Sequence, residues 1–334
     1  MSAKAPSLAA TTETRPRSAF EALQIARFGP RYAEYRRALD RASAMEEVPD
    51  FPLYLMLEQT FKCNLRCPSC IQGYRKATAP FAVERMTDAL YERIIAEARA
   101  EGLCSLSMHV NDEPLLVANL AERIAMARDA GIMDIIMTTN GNLMTAEKAR
   151  AVIEAGITHL LFSIDAASPE TYEKVRPGGR FEKVLAGIDH VNAVRGATMM
   201  PILRASFVKS ALNAHEEEAF HRVFGGRVDY IDVQTFGSYK DFNRHLRQSG
   251  GSRCEEPPPF LCEMPFNRMV VRSNGDVLPC CSFYGYEIVV GNILTHSIRD
   301  IWRGEAMHRL RQDFFEGKYD HPACVECINS MAID

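Results

Sequence analysis

Apolar β-type runs alternate with amphipathic helical stretches over the central two thirds of the chain. The runs are rich in Leu, Ile, Val, Phe and Met, and each is separated from the next by a stretch with helical periodicity. Several helical stretches open with a side chain that can cap free backbone N–H groups, such as Thr87 and Ser168. The predicted strands are 53–60, 104–110, 133–140, 158–165, 200–208 and 228–236, and the predicted helices between them are 87–101, 115–130, 145–155, 180–195 and 214–223.

Strands that alternate with helices are typical of a parallel sheet joined by right-handed crossovers. The pattern therefore predicts an α/β fold. Periodicity alone leaves open whether the sheet is an open, doubly wound one or a partial barrel. In either architecture the chemistry is expected at the carboxyl ends of the strands.

The two ends of the chain follow other patterns. The first 18 residues are polar and are expected to lack structure, and a helix is predicted over 19–45 with a break at Gly29-Pro30. Near the other end, Asn274-Gly275 lies between two β-type runs and predicts a hairpin with a type I′ turn, followed by a helix over 297–316. The expected divisions are a lead-in with a helical segment (1–50), the α/β unit (51–236), a linker (237–253) and a small C-terminal domain (254–334).

The composition is that of a globular protein, and the charge balance argues against some classes of binding partner. The 334 residues are 47% apolar, with a net charge of −4 and a pI near 6.2. This balance argues against binding to nucleic acid or to an anionic membrane. The chain has neither a run of about 20 apolar residues nor the pattern of a secretory signal. A cytoplasmic location is expected.

The cysteines provide the strongest chemical signal. Seven of the ten fall into two groups at close or paired spacings. Thiols in a reducing compartment bind metal more often than they form disulfides. The remaining three are Cys104, Cys254 and Cys281.

The first group, Cys63, Cys67 and Cys70, directly follows the first predicted strand with the spacing C-x₃-C-x₂-C. Three thiolates on one loop can hold a [4Fe–4S] cluster and leave one iron open to another ligand. Zinc sites usually have four ligands in paired knuckles, which this group does not offer.

The second group is Cys262, Cys280, Cys324 and Cys327, with the spacings C-x₁₂-G-x₄-C and C-x₂-C. Four thiolates from a hairpin and a distant pair can close either a zinc ribbon or a fully ligated [4Fe–4S] cluster. The spacing leaves both alternatives open.

With its C-x₃-C-x₂-C motif after the first strand, the chain resembles the radical S-adenosylmethionine (SAM) superfamily over residues of about 50 to 235. The resemblance implies a partial (β/α)₆ barrel like that of triosephosphate isomerase. It also implies that the open iron binds SAM and that reduction yields a 5′-deoxyadenosyl radical, which abstracts a hydrogen atom. The reductant would be an external one-electron donor of the flavodoxin or ferredoxin type.

Further motifs match the superfamily at successive strand ends. Asn111-Asp112-Glu113 stands where members usually have Gly-Gly-Glu, and Thr138-Thr139-Asn140-Gly141 resembles a common TTNG motif. Ser69 replaces an aromatic residue found near adenine in many members. Arg204 could pair with the SAM carboxylate, because guanidinium and carboxylate groups form bidentate pairs. The SAM-binding residues that the resemblance implies are Asn111, Asp112, Glu113, Thr139, Asn140, Ser163, Asp165, Arg204 and Ser206.

The second cysteine group resembles the auxiliary-cluster domain called SPASM, or its shortened form called twitch. Because only seven residues follow Cys327 and none is a cysteine, the expectation is a twitch-like domain with one auxiliary [4Fe–4S] cluster. The cluster's expected role is electron transfer. The alternative is that it merely stabilises a small domain.

The predicted function is oxidation of a small polar substrate, such as a sugar, aminocyclitol or nucleotide sugar. The cysteine plan resembles that of an inosamine dehydrogenase, which oxidises a secondary alcohol to a ketone while the auxiliary cluster accepts an electron. The alternatives are an epimerase with Cys254 or Cys281 as the hydrogen donor, a maturase of ribosomal peptides, and a non-catalytic electron carrier. The candidate bases or orienting residues are His109, Asp112, Arg204, Gln234 and Tyr239.

Overall fold

The computed structural model describes residues 9–12, 17–74, 85–239, 242–246 and 262–331. These residues form one ten-stranded sheet with helices packed against it. The strands are β1 (Ala9–Thr12), β2 (Tyr54–Leu57), β3 (Ser105–Ser107), β4 (Asp134–Thr139), β5 (His159–Ser163), β6 (Ile202–Lys209), β7 (Tyr230–Thr235), β8 (Arg268–Val271), β9 (Asp276–Leu278) and β10 (Gly291–Asn292). Their order across the sheet is β1-β7-β6-β5-β4-β3-β2-β8-β9-β10.

All six predicted strands of the α/β unit are present, as β2 to β7, and neighbouring ones pair in parallel. The predicted α/β class and partial-barrel arrangement are thus confirmed. β2 and β3 are shorter than expected, because the chain turns into loops at residues 58 and 108. Those loops carry the chemistry described below.

The helices also follow the prediction, with four differences. Helices over Pro169–Val175, Met264–Asn267 and Pro322–Met331 were not predicted, and the expected helix over 297–316 is broken at Gly304, whose backbone is extended. The helices are α1 (Arg17–Phe28), α2 (Pro30–Ser43), α3 (Asp88–Glu101), α4 (Leu120–Asp129), α5 (Ala146–Ala155), α6 (Pro169–Val175), α7 (Phe181–Arg195), α8 (Glu217–Phe224), α9 (Met264–Asn267), α10 (Ile298–Arg303), α11 (Glu305–Phe315) and α12 (Pro322–Met331).

The two faces of the sheet differ in polarity. On β6, Leu203, Ala205 and Phe207 are fully buried and join the large apolar core under the helices. Because successive side chains on a strand point to opposite faces, Arg204 and Ser206 lie on the other face. This second face, the inside of the partial barrel, is therefore polar.

The amino-terminal segment contributes more than was expected. Ala9–Thr12 forms the edge strand β1, antiparallel to β7, so the expectation of an unstructured lead-in is wrong for these residues. α1 and α2 pack at the amino end of β4, where Gln24 donates a hydrogen bond to Asp134 at 3.0 Å. Tyr32 and Tyr35 are buried there against Met133.

The C-terminal hairpin continues the barrel sheet. β8 pairs in parallel with β2, and β9 runs back antiparallel to β8, so the predicted hairpin is present. The predicted type I′ turn is wrong, because of the two central residues only Gly275 has positive φ, at 88°. The Gly275 N–H donates to the Arg272 carbonyl at 3.0 Å and the Arg272 N–H to the Asp276 carbonyl at 2.8 Å, which is the pattern of a three-residue loop ending in a glycine bulge.

Within the described part of the chain, no helix is long and apolar enough to cross a membrane.

Candidate active site and auxiliary cysteine site

The loop after β2 brings Cys63, Cys67 and Cys70 to the carboxyl end of the sheet. A tight turn shapes the loop, since the Cys70 N–H donates to the Cys67 carbonyl at 3.1 Å and the Gly73 N–H to the Cys70 carbonyl at 2.9 Å. A Cβ atom at Gly73 would lie 2.3 Å from the Cys67 carbonyl oxygen. Only glycine therefore fits at this position, and the loop can fold back on its own cysteines.

A cavity of about 330 Å³ lies between this loop and the ends of the strands. All three cysteines line it, together with residues that follow β3, β4, β5 and β7. Its polar lining residues outside the cysteine loop are His109, Asn111, Asp112, Glu113, Thr138, Thr139, Asn140, Ser163, Asp165, Arg176 and Gln234. We refer to it below as the SAM cavity, after the cofactor that the resemblance predicts at these cysteines.

Cys67 is buried and Cys63 and Cys70 are partly buried, so that their thiolate forms would need positive partners. Burial raises the pKa of Cys63 to about 11 and that of Cys70 to about 12, and it also raises the pKa of Cys67. Arg176 Nη1 lies 3.8 Å from the Cys67 sulfur, and Asn140 Nδ2 lies 3.8 Å from the Cys63 sulfur. Three thiols on one wall of a cavity fit a [4Fe–4S] cluster, whose irons would supply the missing positive charge.

Glu113, expected at the cofactor, holds the neighbouring loop together. Its carboxylate accepts hydrogen bonds from the Thr139 hydroxyl at 2.7 Å, the Asn140 N–H at 2.8 Å and the Leu115 N–H at 3.1 Å. The loops after β3 and β4 are thereby fixed to each other. Both carboxylate oxygens are engaged in this way, although Glu113 still lines the cavity.

An ion pair that the sequence did not predict lies between the cysteine loop and β5. Arg176 Nη2 binds Asp165 Oδ2 at 2.5 Å, with Asp165 buried and Arg176 partly buried. Asp165 has a φ of +62°, which is costly for a non-glycine residue, and hydrogen bonds from the Val208 N–H and the Asn213 side chain hold it there. Asp165 was predicted from the resemblance. Arg176, which reaches the cavity from the end of α6, was missed because no motif marks it.

Two of the five candidate bases, His109 and Asp112, differ in whether they have an atom free to accept a proton. The Thr138 N–H donates to Nδ1 of His109 at 3.1 Å, so the proton of this neutral imidazole is on Nε2. Burial, together with the nearby charge of Arg204, lowers the pKa of His109 to about 3. Asp112 has one carboxyl oxygen fixed by the Val110 N–H at 2.8 Å, while its buried Oδ2 has no hydrogen-bond partner. Burial raises the pKa of Asp112 well above its ordinary value.

The other candidate bases have partners of their own. Arg204 forms an ion pair with Asp232 at 3.1 Å, and Gln234 donates to the same carboxylate at 2.6 Å. Tyr239 is buried outside the described lining of the SAM cavity, and its hydroxyl donates to Glu287 at 3.2 Å.

The remaining predicted SAM contacts divide into two sets. Asn111, Thr139, Asn140 and Ser163 line the cavity. Arg204 and Ser206 are not among its described lining residues, and Ser206 instead accepts the N–H groups of residues 164 and 165 through its carbonyl oxygen. The pairing of Arg204 with Asp232 runs against its predicted role at the SAM carboxylate.

The second cysteine group converges on a separate, mainly apolar cavity of about 210 Å³. Cys262 precedes α9, Cys280 follows β9, and Cys324 and Cys327 lie one turn apart on α12. Burial, together with the neighbouring thiols, raises the pKa of Cys262 to about 12 and that of Cys324 to about 11. Four thiols around one cavity fit a fully ligated cluster. We call this the auxiliary site.

The three remaining cysteines lie in different parts of the chain. Cys281 lines the auxiliary cavity and is not among the described residues of the SAM cavity, so its place does not suit a donor of hydrogen to a substrate there. Cys104 lies at the opposite end of the sheet, beside Gly102. Cys254 falls outside the described residues.

In the described ranges, no group of three or more His, Cys, Asp or Glu side chains is arranged to hold a metal ion. The iron content per chain is the measurement that tests for a cluster at each of the two thiol sites.

Gly285→Ala should remove the auxiliary cluster, because a Cβ atom there would lie 2.7 Å from the Cys280 sulfur. Anaerobically reconstituted wild-type protein should hold about eight irons per chain, and the variant about four. Gly226→Ala is the matched control, since its Cβ atom would meet nothing within 4 Å. Zinc in the wild-type protein, or a full iron content in the variant, would contradict this assignment.

The fold and the two thiol sites define an iron–sulfur protein. One site has three thiols beside a cavity, and the other has four thiols, enough to ligate every iron of a cluster. Comparison with known families agrees. The model of the radical SAM superfamily matches residues 57–204, and the model of the iron–sulfur cluster-binding SPASM domain matches residues 262–328.

Two curated relatives extend the comparison. The AdoMet-dependent heme synthase of Methanosarcina barkeri is 34% identical over 306 residues, which cover 78% of this chain and 85% of that protein. The GTP 3′,8-cyclase of Acidothermus cellulolyticus is 30% identical over 193 residues, covering 55% of this chain and 52% of the other. The chain thus spans about half the length of the cyclases that it matches. It belongs to the radical SAM superfamily and carries a SPASM domain.

Solved structures share the fold. Streptococcus suis SuiB superposes with a TM-score of 0.62 at 16% identity, over 95% of this chain and 78% of SuiB. The structure of anSMEcpe with bound AdoMet gives a TM-score of 0.59 at 18% identity, over 78% of this chain and 83% of that one. The cofactors of the protein are therefore a [4Fe–4S] cluster that binds SAM and an auxiliary iron–sulfur cluster.

Proposed function

We propose that this protein is a radical SAM oxidoreductase that converts a secondary alcohol of a small polar substrate into a ketone. The observation that carries the proposal is Asp112. Its unpartnered carboxyl oxygen belongs to a residue that lines the cavity of the three cysteines. A group that accepts a proton beside the site of radical formation is what oxidation of an alcohol requires.

When bound, the SAM cluster supplies a carbon radical from SAM, and the auxiliary cluster supplies an electron acceptor. Cys63, Cys67 and Cys70 would hold the first cluster, and Cys262, Cys280, Cys324 and Cys327 the second. Asn111, Asn140 and Ser163 line the cavity where SAM would lie. Glu113 and Thr139 would act mainly by fixing the loops that surround it.

Oxidation of an alcohol to a ketone removes a hydrogen atom from carbon, a proton from oxygen and one further electron. We assign the proton to Asp112, whose raised pKa brings it closer to that of an efficient base at neutral pH. His109 cannot take the proton at Nε2, because that atom already carries one. It is placed to donate a hydrogen bond to a substrate oxygen from the cavity wall.

The polarity of the site supports a polyhydroxylated substrate such as a sugar, aminocyclitol or nucleotide sugar. Asn, Thr and Ser side chains and the carboxyl group of Asp112 line the cavity outside the cysteine loop. Amide, hydroxyl and carboxyl groups of this kind can form hydrogen bonds with the hydroxyl groups of a substrate.

A product lighter than the substrate by two hydrogens is the expected result with reconstituted enzyme, SAM and a one-electron reductant. We would screen aminocyclitols and sugars and follow 5′-deoxyadenosine and product mass in both H₂O and D₂O. Dehydrogenation returns no hydrogen to carbon, so no carbon-bound deuterium should appear. Absence of 5′-deoxyadenosine under every condition would point to an electron carrier instead.

An epimerase would give a different result in the same assay. The product mass in H₂O would be unchanged, and D₂O would add one carbon-bound deuterium from a thiol. Cys281 faces the auxiliary cavity, which disfavours it as that thiol. Loss of activity in Cys254→Ala or Cys281→Ala, together with deuterium incorporation, would replace dehydrogenation by epimerisation.

A second candidate function is a step in the synthesis of heme. The observation in its favour is the match to the AdoMet-dependent heme synthase over most of both chains. Hemin is a suitable probe, because binding would shift its Soret absorption. Tight binding of hemin that no sugar or aminocyclitol displaces would favour this candidate over the first.

A further inference from the structure

A partly buried chain of hydrogen bonds connects the SAM cavity with the turn that packs against the auxiliary site. It begins at Gln72, two residues after Cys70, whose side chain donates to the Asn111 carbonyl at 2.9 Å. The Asn111 side chain donates to the Tyr286 hydroxyl at 3.2 Å. That hydroxyl donates in turn to Glu58 Oε2 at 2.5 Å.

Glu58 anchors the chain at the end of β2. It is fully buried, and its second oxygen accepts a hydrogen bond from the Ser273 hydroxyl at 3.2 Å. Arg272 Nε lies 3.5 Å from the same oxygen, and its guanidinium lies over the Tyr286 ring at 5.0 Å. Removing such a partner from a buried carboxylate strongly destabilises the folded protein. These contacts therefore hold Tyr286 in one position.

Tyr286 belongs to a short 3₁₀ turn, Phe283–Glu287, that forms the wall between the two cavities. Phe283 lines the SAM cavity, whereas Tyr284 and Gly285 line the auxiliary cavity. The turn begins three residues after Cys280, and Gly285 packs directly against that cysteine. The position of this turn therefore depends on the auxiliary site.

We propose that Tyr286 is a positioning residue through which the auxiliary site holds the wall of the SAM cavity in its binding geometry. The proposal rests on the proposed function in that the larger cavity is taken to bind SAM. A formed auxiliary site fixes the turn, the turn fixes Tyr286, and Tyr286 fixes Asn111. Because coupling between two sites is reciprocal, SAM binding also stabilises the auxiliary site.

Tyr286→Phe should weaken SAM binding about tenfold, a typical size for coupling between sites, while the protein keeps its full iron content. SAM affinity would be measured by equilibrium dialysis on reconstituted protein, with iron per chain determined on the same samples. Tyr91→Phe is the matched control, since it removes another buried hydroxyl, which donates to the Arg123 carbonyl at 2.7 Å in the apolar core. The control should bind SAM like the wild-type protein.

A double-mutant cycle keeps the test decisive even if Tyr286→Phe loses stability. Cys324→Ser alone, which disrupts the auxiliary cluster, should weaken SAM binding by a similar factor and should have no further effect in the Tyr286→Phe background. Additive effects, or unchanged affinity in Tyr286→Phe, would overturn the proposal. Failure of the wild-type protein to bind SAM would instead refute the proposed function.

Discussion

Replacing Cys63, Cys67 and Cys70 by Ala should abolish the reductive cleavage of SAM. These are the thiols that line the larger cavity, and without them no cluster with an open iron can be held beside it. Iron should fall from about eight to about four per chain, because the auxiliary site keeps its own four thiols. 5′-Deoxyadenosine, measured by chromatography after reduction with dithionite, should be undetectable.

The informative comparison is with the double variant Cys324→Ala/Cys327→Ala, assayed at saturating SAM. This variant should also hold about four irons, yet it should still form 5′-deoxyadenosine and lose most of its product. Cys104→Ala, which changes a thiol at the opposite end of the sheet, should behave like the wild-type protein. If both cluster variants lost SAM cleavage equally while remaining folded, the auxiliary site would not act as an electron acceptor.

The sheet and the cysteine loops could be predicted from the sequence because both depend on local patterns. Six apolar runs separated by helical stretches leave few alternatives to a parallel sheet, and the loop carrying Cys63 directly follows the first run. The carboxyl ends of parallel strands meet at one edge, so the motifs at Asn111, Asn140 and Asp165 were expected to converge there. They do.

Contacts between distant segments could not be predicted in the same way. Arg176 reaches the cysteine loop across more than 100 residues of sequence, and nothing in its own surroundings marks it. Arg204 was assigned to SAM because of its place on β6, but the choice between SAM and Asp232 depends on the register of β6 against β7. Tyr239 was considered a base for its chemistry alone, whereas its burial in the wall between the sites depends on the tertiary fold.

The prediction of a type I′ turn at Asn274-Gly275 was wrong for a related reason. Asn-Gly favours a type I′ turn in an isolated hairpin, but here the strand before it is paired with β2 and its last residues bind Glu58. The loop is therefore set by contacts on both sides of the hairpin, and a three-residue connection satisfies them. The same contacts bind the C-terminal region to the barrel.

Asp112→Asn should lower product formation by about 10² to 10⁴-fold, which is the usual contribution of a general base. SAM cleavage should be largely preserved, because the three cysteines and the loops held by Glu113 are unchanged. Asparagine keeps the size of the side chain and can still accept the Val110 N–H hydrogen bond, but it cannot take up a proton. The ratio of product to 5′-deoxyadenosine is the quantity to measure.

The pH dependence of that ratio provides a second test with a definite sign. A base acts only when deprotonated, so the wild-type ratio should fall as pH decreases through the pKa of Asp112. Burial raises that pKa well above 3.8, and the fall should therefore begin at a higher pH than for an exposed aspartate. In Asp112→Asn this acidic limb should disappear.

Asp134→Asn is the matched control for Asp112→Asn, because Asp134 is a buried aspartate at the amino end of β4, whereas the SAM cavity lies at the carboxyl ends of the strands. It should lose some stability but keep the wild-type ratio and its acidic limb. The contrary outcome is equally clear. If Asp112→Asn lowered SAM cleavage and product formation by the same factor and weakened SAM binding, Asp112 would be a cofactor-binding residue, as its place in the Gly-Gly-Glu motif implies, and the proton acceptor would have to lie elsewhere in the cavity.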